Sequence, residues 1–166
     1  MENIALVPVS SPEQIETVAA LAKKIWSEHY ADLLGQAQID YMVEKFQSVP
    51  AIRSQLAHDG YQYFLFQYNG ENVGYLAIQW KEDSLFLSKI YVDKEFRRKH
   101  LAKTGVEYAK KLCLDNSRRK LWLTVNKGNS GSIAAYQKLG FQITREQTAD
   151  IGGGFVMDDY IMELDL

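Results

Sequence analysis

A group of basic residues follows a predicted buried strand and leads into a predicted helix. Residues 97–100 (Arg-Arg-Lys-His) come after the apolar run Leu85–Val92, and Lys103 lies in the first turn of a helix that begins at about Leu101. The first N–H groups of a helix lack internal acceptors and carry partial positive charge. A pyrophosphate suits this arrangement, because the basic side chains add charge beside exposed N–H donors. Taken alone, the same segment is also compatible with a solvated basic face.

A second segment, residues 129–141, carries polar side chains at helical spacing. Ser132 and Tyr136 are four residues apart, so a helix places them on one face. A tyrosine hydroxyl can act as a general acid when its pKa suits the reaction. A single tyrosine is more often a packing residue, and Asn129 alone is more often a helix cap.

The elements that must position these residues alternate between helices and strands. Strands are predicted at about 4–9, 61–68, 73–80, 85–92, 121–125, 141–145 and 155–164, and helices at about 12–30, 39–46, 51–57, 101–114 and 130–139. A capping box at Ser11 and Gln14 marks the first helix, and Asn69-Gly70 marks a two-residue hairpin. The main order, β-α-α-β-β-β-α-β-α-β-β, predicts an α/β fold with a mixed sheet in a single domain of residues 1–166.

Composition narrows the class of protein. The 166 residues include 19 basic and 21 acidic side chains, for a net charge of −2, so no nucleic-acid partner is expected. The lone Cys113 forms no intrachain disulfide, and three scattered histidines predict no metal site. There is no apolar run of the ~20 residues that a membrane span needs, and no secretory pattern at the N-terminus. We expect a cytoplasmic protein without a membrane partner, and a homodimer stays open.

Together, the two polar segments resemble the motifs of the GNAT superfamily of N-acyltransferases. Members carry Val-x-Pro-x-(Tyr/Phe)-Arg-Gly-x-Gly-(Ile/Leu)-(Gly/Ala) and, further along, Asn-x-x-Ala-(Ile)-x-x-Tyr-x-x-x-Gly-Phe. Here residues 92–102 read Val-Asp-Lys-Glu-Phe-Arg-Arg-Lys-His-Leu-Ala, and residues 129–141 read Asn-Ser-Gly-Ser-Ile-Ala-Ala-Tyr-Gln-Lys-Leu-Gly-Phe. The resemblance implies a mostly antiparallel sheet with one splayed parallel strand pair, flanked by helices, and acetyl-CoA as the acyl donor. The first and last segments are similar to those of bacterial polyamine N-acetyltransferases.

The resemblance also implies roles for individual residues. The backbone of the strand at 85–92 would pair with the pantetheine arm, and the N–H of Tyr91 would stabilise the developing oxyanion. Tyr136 would protonate the leaving thiolate. The implied catalytic residues are therefore Tyr136 and Tyr91. The implied cofactor-binding residues are Ile90, Tyr91, Val92, Arg97, Arg98, Lys99, His100, Leu101, Ala102, Lys103, Asn129, Ser132 and Tyr136.

Two departures from the family pattern affect these roles. His100 stands where the family has the glycine before the Leu-Ala pair, which puts cofactor affinity rather than the fold in question. Histidine keeps the N–H donor and tolerates positive φ better than most residues, so the loop can still form. The strand at 85–92 also lacks the carboxylate base that many members carry there. The base must come from elsewhere or be dispensable.

The acceptor amine is expected between the end of the first helix and the last strands. The implied substrate residues are Trp26, Glu28, His29, Tyr41 and Asp159. Carboxylates among aromatic rings suit an alkylammonium, although a solvated acid on a helix face explains Glu28 equally well. Asp158 and Asp159 are neighbours in a strand and face opposite ways, so only one is expected to reach the cleft.

We therefore expect an N-acyltransferase that moves an acetyl group from acetyl-CoA to a primary amine by direct attack in a ternary complex. The acceptor would be a small or polyamine-like molecule. Two alternatives stay open. One is a non-catalytic acyl-CoA-binding or sensory module, which His100 makes conceivable, and the other is a transferase for protein or peptide amines.

Overall fold

The computed structural model of the chain describes residues 3–166, and Met1 and Glu2 lie outside the described part. The strands are β1 (Ile4–Pro8), β2 (Tyr61–Tyr68), β3 (Glu71–Trp80), β4 (Leu85–Val92), β5 (Lys120–Asn126), β6 (Gln142–Gly152) and β7 (Phe155–Asp165). The helices are α1 (Pro12–Tyr30), α2 (Gln36–Gln47), α3 (Val49–His58), α4 (Leu101–Asp115) and α5 (Ser130–Lys138), with a 3-10 turn at Lys94–Phe96. The helix α3 corresponds to the short helix predicted at about 51–57, which the predicted order of elements left out.

The seven strands form one mixed sheet in the order β1-β2-β3-β4-β5-β7-β6. Every neighbouring pair is antiparallel except β4 and β5, which run parallel. Helices pack on both faces, which buries one apolar core under α4 and another under α1 to α3. The predicted α/β fold with a single parallel pair is confirmed.

The parallel pair separates soon after it forms. β4 and β5 pair only at Leu85 with Leu121 and at Phe86 with Trp122. At this closed end the rings of Phe86 and Trp122 stack with centroids 4.2 Å apart, and the indole N–H of Trp122 donates to the hydroxyl of Ser84 at 3.0 Å. Beyond these residues the two strands diverge, so the edge of β4 that faces β5 is left without a strand partner.

Local sequence explains how the first helices begin. Ser11 and Gln14 form the predicted capping box, with Pro12 in the first turn of α1. The hydroxyl of Ser48 caps α3 by accepting from the N–H of Ala51 at 3.3 Å, and Pro50 occupies the first turn, where a missing N–H is tolerated. In the described part of the chain, none of the helices combines the length and the apolar character that a membrane crossing would need.

Close packing of α4 on the sheet depends on a glycine. A Cβ at Gly105 would lie 2.7 Å from the ring of Phe66, nearer than side-chain atoms pack. The absence of a side chain therefore lets the first turns of α4 approach β2 and β3. This approach brings the N-terminus of α4 to the mouth of the gap between β4 and β5.

Candidate active site

A cavity of about 660 Å³ opens where β4 and β5 separate. Its walls come from the end of β4, the loop before α4, the first turn of α4, one face of α5, and His29 from α1. The lining residues are His29, Ile90, Tyr91, Val92, Phe96, Arg97, Arg98, His100, Leu101, Ala102, Lys103, Asn129, Gly131, Ser132, Ala135, Tyr136 and Leu139. Nearly all the residues that the motifs single out as cofactor-binding therefore meet around one space.

A second, narrow space of about 50 Å³ lies deeper between the diverging strands. It shares Ile90, Tyr91 and Tyr136 with the larger cavity and adds Ser88 and Thr124 from the facing strands. The shared residues mark the place where a long ligand in the cavity would present its end to the gap. The small volume suits a short group such as an acetyl.

The hydrogen-bond phase of β4 decides which backbone donors face the gap. Tyr91 pairs with Tyr75 of β3, and the N–H of Asp93 donates to the carbonyl of Val73 at 2.8 Å in the same register. In an antiparallel ladder, bonded and non-bonded pairs alternate. Tyr91 therefore directs its N–H towards β3, whereas Ile90 and Val92 direct theirs towards the gap.

This phase corrects the expectation that the N–H of Tyr91 serves as the oxyanion donor. That N–H is directed into the ladder with β3. Of the two donors that face the gap, the N–H of Ile90 belongs to a residue that lines both spaces. Val92 lines only the larger cavity. Tyr91 instead contributes its side chain, whose hydroxyl shares a hydrogen bond of 3.2 Å with that of Tyr30.

Two residues before α4 adopt left-handed backbone conformations. Arg98 has φ 66° and His100 has φ 63°. The family motif has glycine at both positions, so Arg98 is a further departure from the pattern, beside His100. The carbonyl of His100 accepts hydrogen bonds from the N–H and hydroxyl of Thr104, at 3.0 and 2.7 Å, which holds the start of the helix. The loop keeps its shape without either glycine.

The loop and the helix start present the donors that a diphosphate needs. Arg97, Arg98 and Lys103 line the cavity together with the first residues of α4, whose N–H groups have no acceptors within the helix. Lys99 does not line the cavity, since its ammonium lies 5.2 Å from the ring centre of Tyr68. The chemistry of this donor set fits the pyrophosphate of CoA, and the free edge of β4 fits its pantetheine arm.

The loop is anchored by an aspartate that the motif comparison did not identify. Asp93 is buried, and its carboxylate accepts hydrogen bonds from Lys24 of α1 at 2.6 Å and from the N–H of Glu95 at 3.1 Å. Burial opposes ionisation, but these bonds outweigh it and lower the pKa of Asp93. The contact ties α1 to the end of β4, and so fixes this helix relative to the loop.

Helix α5 holds Tyr136 in the wall of both spaces. Asn129 caps the helix, since its side-chain oxygen accepts from the N–H of Ser132 at 3.2 Å. Its side-chain amide lies 3.0 Å from Nε2 of His29, so both ends of Asn129 already have partners. The expected contact of Asn129 with pantetheine would have to compete with these bonds. Ser132 and Tyr136 share the face predicted from their spacing.

Three tyrosine side chains, Tyr30, Tyr91 and Tyr136, line the narrow space, and the first two share a hydrogen bond. Burial raises the pKa of Tyr136, and the nearby hydroxyl of Tyr30 raises it further. Burial also raises the pKa of Tyr30 to about 12. The hydrogen bond to Tyr91 lowers this pKa, and the charge of Asp159 raises it. Burial raises the pKa of Tyr91 as well, with contributions from Tyr30, Tyr75 and Tyr136. All of these side chains stay protonated at neutral pH.

His29 connects the end of α1 to Asn129, which caps α5. Burial, followed by the positive charge of Arg97, lowers the pKa of His29 to about 4, so its ring is neutral at physiological pH. Its Nε2 accepts from the Asn129 amide, which puts the ring proton on Nδ1. Among the predicted substrate residues, His29 is the one that lines the cavity.

The other predicted substrate residues lie outside the cavity lining. Trp26 is a core residue whose indole donates to the hydroxyl of Tyr75 at 2.9 Å. Tyr41 packs against the β6–β7 turn and donates to the carbonyl of Ile151 at 2.9 Å. Glu28 is half-buried, and one of its carboxylate oxygens is enclosed without a hydrogen-bond partner. Trp26 and Tyr41 are both engaged in packing contacts and neither lines the cavity, so their contact with the acceptor stays a prediction.

Asp158 and Asp159 face opposite sides of β7, as their alternation predicts. Asp158 is bound by Lys127 at 2.9 Å and by the hydroxyl of Thr148 at 3.1 Å. Asp159 is half-buried on the other face, and its Oδ1 is enclosed without a hydrogen-bond partner. Burial, and then the charge of Asp158, raises the pKa of Asp159 to about 6 against the opposing charge of Lys127.

Sequence reasoning did not identify several residues of the lining. Phe96, Gly131, Ala135 and Leu139 shape the cavity through bulk or its absence. The helical spacing of Ala135 and Leu139 with Ser132 could have found them, because all three lie on the α5 face that carries Tyr136. Phe96 occupies the (Tyr/Phe) position of the first family motif, and the 3-10 turn at Lys94–Phe96 places it in the lining.

A splayed parallel pair beside a basic helix N-terminus, with a tyrosine in the gap, defines an acyl-CoA-dependent acyltransferase. Residues 18–141 match the family model described as the acetyltransferase (GNAT) family. Since the match spans most of the described chain, the protein belongs to this family. It is an acyl-CoA-dependent N-acetyltransferase, with acetyl-CoA as the acyl donor.

Solved structures of low sequence identity share the fold. The PaiA N-acetyltransferase from Thermoplasma acidophilum, in complex with coenzyme A, is 22% identical with a TM-score of 0.79, covering 100% of this chain and 99% of that chain. The ribosomal-protein-S18-alanine N-acetyltransferase from Escherichia coli is 19% identical with a TM-score of 0.71, covering 99% and 94%. A GNAT family acetyltransferase from Elizabethkingia anophelis with acetyl-CoA bound is 16% identical with a TM-score of 0.61, covering 99% and 99%.

Proposed function

We propose that the protein transfers the acetyl group of acetyl-CoA to the primary amine of a small, polyamine-like molecule by direct attack in a ternary complex. The observation that carries this proposal is the gap between β4 and β5, which the N–H of Ile90 and the side chain of Tyr136 both face. The gap joins a larger cavity with cationic walls, so one ligand could occupy both.

The chain's own groups divide the work on the donor. Arg97, Arg98, Lys103 and the first N–H groups of α4 hold the diphosphate. Val92 and Ile90 offer backbone donors along the free edge of β4, and the N–H of Ile90 stabilises negative charge on the thioester oxygen. One such donor is worth about 10²–10³ in rate. Tyr136 gives its proton to the departing sulfur, which adds about 10²–10⁴.

The acceptor amine approaches from the side of α1, where His29 lines the cavity. A neutral His29 does not repel an ammonium, so a cationic acceptor can come close before it loses its proton. Direct attack then requires mainly that the amine is held next to the thioester, because this positioning replaces a bimolecular encounter.

Contacts on the acceptor side favour a small amine over a protein terminus. Tyr41 and Lys45 of α2 both donate to the carbonyl of Ile151, and Gln38 donates to that of Val156 at 3.1 Å. These bonds fasten α2 to the β6–β7 turn, which limits the width available to a folded protein substrate. A peptide acceptor would require this contact to open.

Release of free thiol from acetyl-CoA, together with the mass of the acetylated product, tests the proposal. The acceptor panel is spermidine, 1,3-diaminopropane, glucosamine and a tripeptide with a free N-terminus. We expect thiol release with at least one small amine and none above background with the tripeptide. Activity with the tripeptide alone would instead support a protein acetyltransferase. CoA binding without turnover of any amine would support a sensory module.

A further inference from the structure

The narrow space between β4 and β5 has a closed end and an open end. At the closed end the strands pair through Phe86 and Trp122, whose rings stack with centroids 4.2 Å apart. At the open end the space shares Ile90 and Tyr136 with the larger cavity. A group that enters from the cavity therefore meets the paired strands at the far end.

Side chains on both faces of the sheet also bound the narrow space. Leu87 and Leu123, which follow the last strand pair, line it and are buried in the core under α4. Thr124 comes next in β5, so its side chain points to the opposite face, which carries the core under α1 to α3. On that face Tyr30 and Tyr91 line the space and share a hydrogen bond of 3.2 Å. Packing therefore holds the walls on both faces.

A β-bulge places Ser88 in the wall that faces Thr124. Ser88 is the extra residue of the bulge, since the pairing of β4 with β3 passes from Leu87 to Lys89. Its hydroxyl shares a hydrogen bond of 2.9 Å with that of Tyr61, which holds the side chain in place. Ser88 and Thr124 line the narrow space but not the larger cavity. They therefore bound the part of the gap beyond the residues that the two spaces share.

The volume of the narrow space limits the length of a group that it can hold. One water molecule takes about 30 Å³ in the liquid, so a space of about 50 Å³ holds roughly two groups of that size. An acetyl group beyond the sulfur is such a pair, with one carbonyl and one methyl. A propionyl group adds a methylene and a butyryl group adds two, and the paired strands leave no further room at the closed end.

We propose that Ser88 and Thr124 form the end wall of an acyl pocket that selects acetyl-CoA over donors with longer acyl chains. This inference rests on the proposed function, which places the thioester at the residues that the two spaces share. With the carbonyl oxygen at the N–H of Ile90, the methyl group extends towards Thr124. Each additional methylene meets this wall and lowers kcat/KM by about 10–200-fold.

Calorimetry with a series of donors tests the pocket without any acceptor amine. CoA, acetyl-CoA, propionyl-CoA and butyryl-CoA are titrated into the wild-type protein. We expect the Kd for propionyl-CoA to exceed that for acetyl-CoA by at least about 10-fold, and the Kd for butyryl-CoA to be higher still. Equal Kd values for the three acyl-CoAs would overturn the pocket and leave the proposed function intact.

Two variants of Thr124 separate the size of its side chain from its hydroxyl. Thr124→Ser removes one methyl group, so the preference for acetyl-CoA over propionyl-CoA should fall by about 10-fold. Thr124→Val keeps the size and removes the hydroxyl, so the preference should remain that of the wild type. Thr144→Ser is the matched control, because Thr144 lies on β6 and lines neither space. The Kd for CoA, which has no acyl group, should be unchanged in all three variants and shows that they are folded.

Ser88→Thr makes the opposite change from the facing strand. It adds one methyl group and keeps the hydroxyl that bonds to Tyr61, so acetyl-CoA itself should bind about 10-fold more weakly while the Kd for CoA stays unchanged. Wild-type affinity for acetyl-CoA in this variant would remove Ser88 from the end wall.

The outcomes for the pocket and for the proposed function are distinct. An unchanged donor preference in Thr124→Ser, or an equal change in Thr124→Val, would overturn the role of the Thr124 side chain's size. A wild-type protein that prefers acetyl-CoA in calorimetry but acetylates none of the amines would support the pocket and overturn the proposed function. With an amine that is acetylated, kcat/KM should follow the same order of donors.

Discussion

The left-handed conformation of His100 leads to a prediction about loop stability that separates backbone strain from side-chain chemistry. His100→Ala and His100→Gly both remove the imidazole, but only glycine relieves the φ of 63°. We expect the glycine variant to unfold at a higher temperature than the alanine variant. The comparison leaves the N–H donor in place in both.

The size of the difference follows from two opposing terms. A residue with a Cβ costs about 1–2 kcal/mol in the left-handed region. Glycine gives back about 0.4–1 kcal/mol through the greater freedom of the unfolded chain. The net gain is about 0.5–1 kcal/mol, and each kcal/mol shifts the Tm by about 2–4 °C for a chain of this size.

Thermal unfolding followed by circular dichroism measures the difference, with Glu107 as the matched control. Glu107 is exposed in the middle of α4, so Glu107→Gly should be about 1 kcal/mol less stable than Glu107→Ala. The glycine variant should therefore be the more stable of the two at His100 and the less stable of the two at Glu107. A glycine variant at His100 that is no more stable than the alanine variant would refute the assigned strain. An equal loss of CoA affinity in both His100 variants would indicate that the imidazole ring contacts a phosphate of CoA.

Three further outcomes follow from the structure. Tyr136→Phe should lower kcat by about 100-fold with the Kd for CoA nearly unchanged. Unchanged turnover across the pH range would show that Tyr136 is not the general acid. Burial lowers the pKa of Lys89 to about 7, so between pH ~7 and pH ~9 the unfolded chain binds more protons than the folded protein. Urea denaturation should therefore show a free energy of unfolding that rises by about a few kcal/mol across this pH range. Lys89→Met should abolish this rise. A Cβ at Gly74 would lie 2.3 Å from the carbonyl oxygen of Tyr91, so Gly74→Ala should displace β4 and weaken CoA binding in calorimetry, whereas wild-type affinity would contradict the close approach.

Local signals in the sequence predicted the elements well, because each depends on neighbours in the chain. The capping box of α1 and the Asn69-Gly70 turn are both present where the pattern predicts them. The predicted grouping of Ser132 with Tyr136 also depends only on helical spacing, and both line the cavity. The splay of β4 from β5 came from the family resemblance rather than from any local pattern.

The details that the sequence could not supply depend on register and tertiary packing. A β-bulge opposite Ala77 and Ile78 shifts the ladder of β4, and the resulting phase turns the N–H of Tyr91 towards β3. No residue type in β4 marks that shift. Trp26 and Tyr41 are aromatic residues on helices, and only their partners, Tyr75 and Ile151, show that they serve packing.

A crystal structure of the protein with acetyl-CoA tests the central claim most directly. It should show the thioester oxygen about 2.7–3.1 Å from the backbone nitrogen of Ile90, with the sulfur beside the hydroxyl of Tyr136. The diphosphate should meet the first N–H groups of α4. A thioester held away from the space between β4 and β5, or a Tyr136 hydroxyl that does not approach the sulfur, would contradict the mechanism.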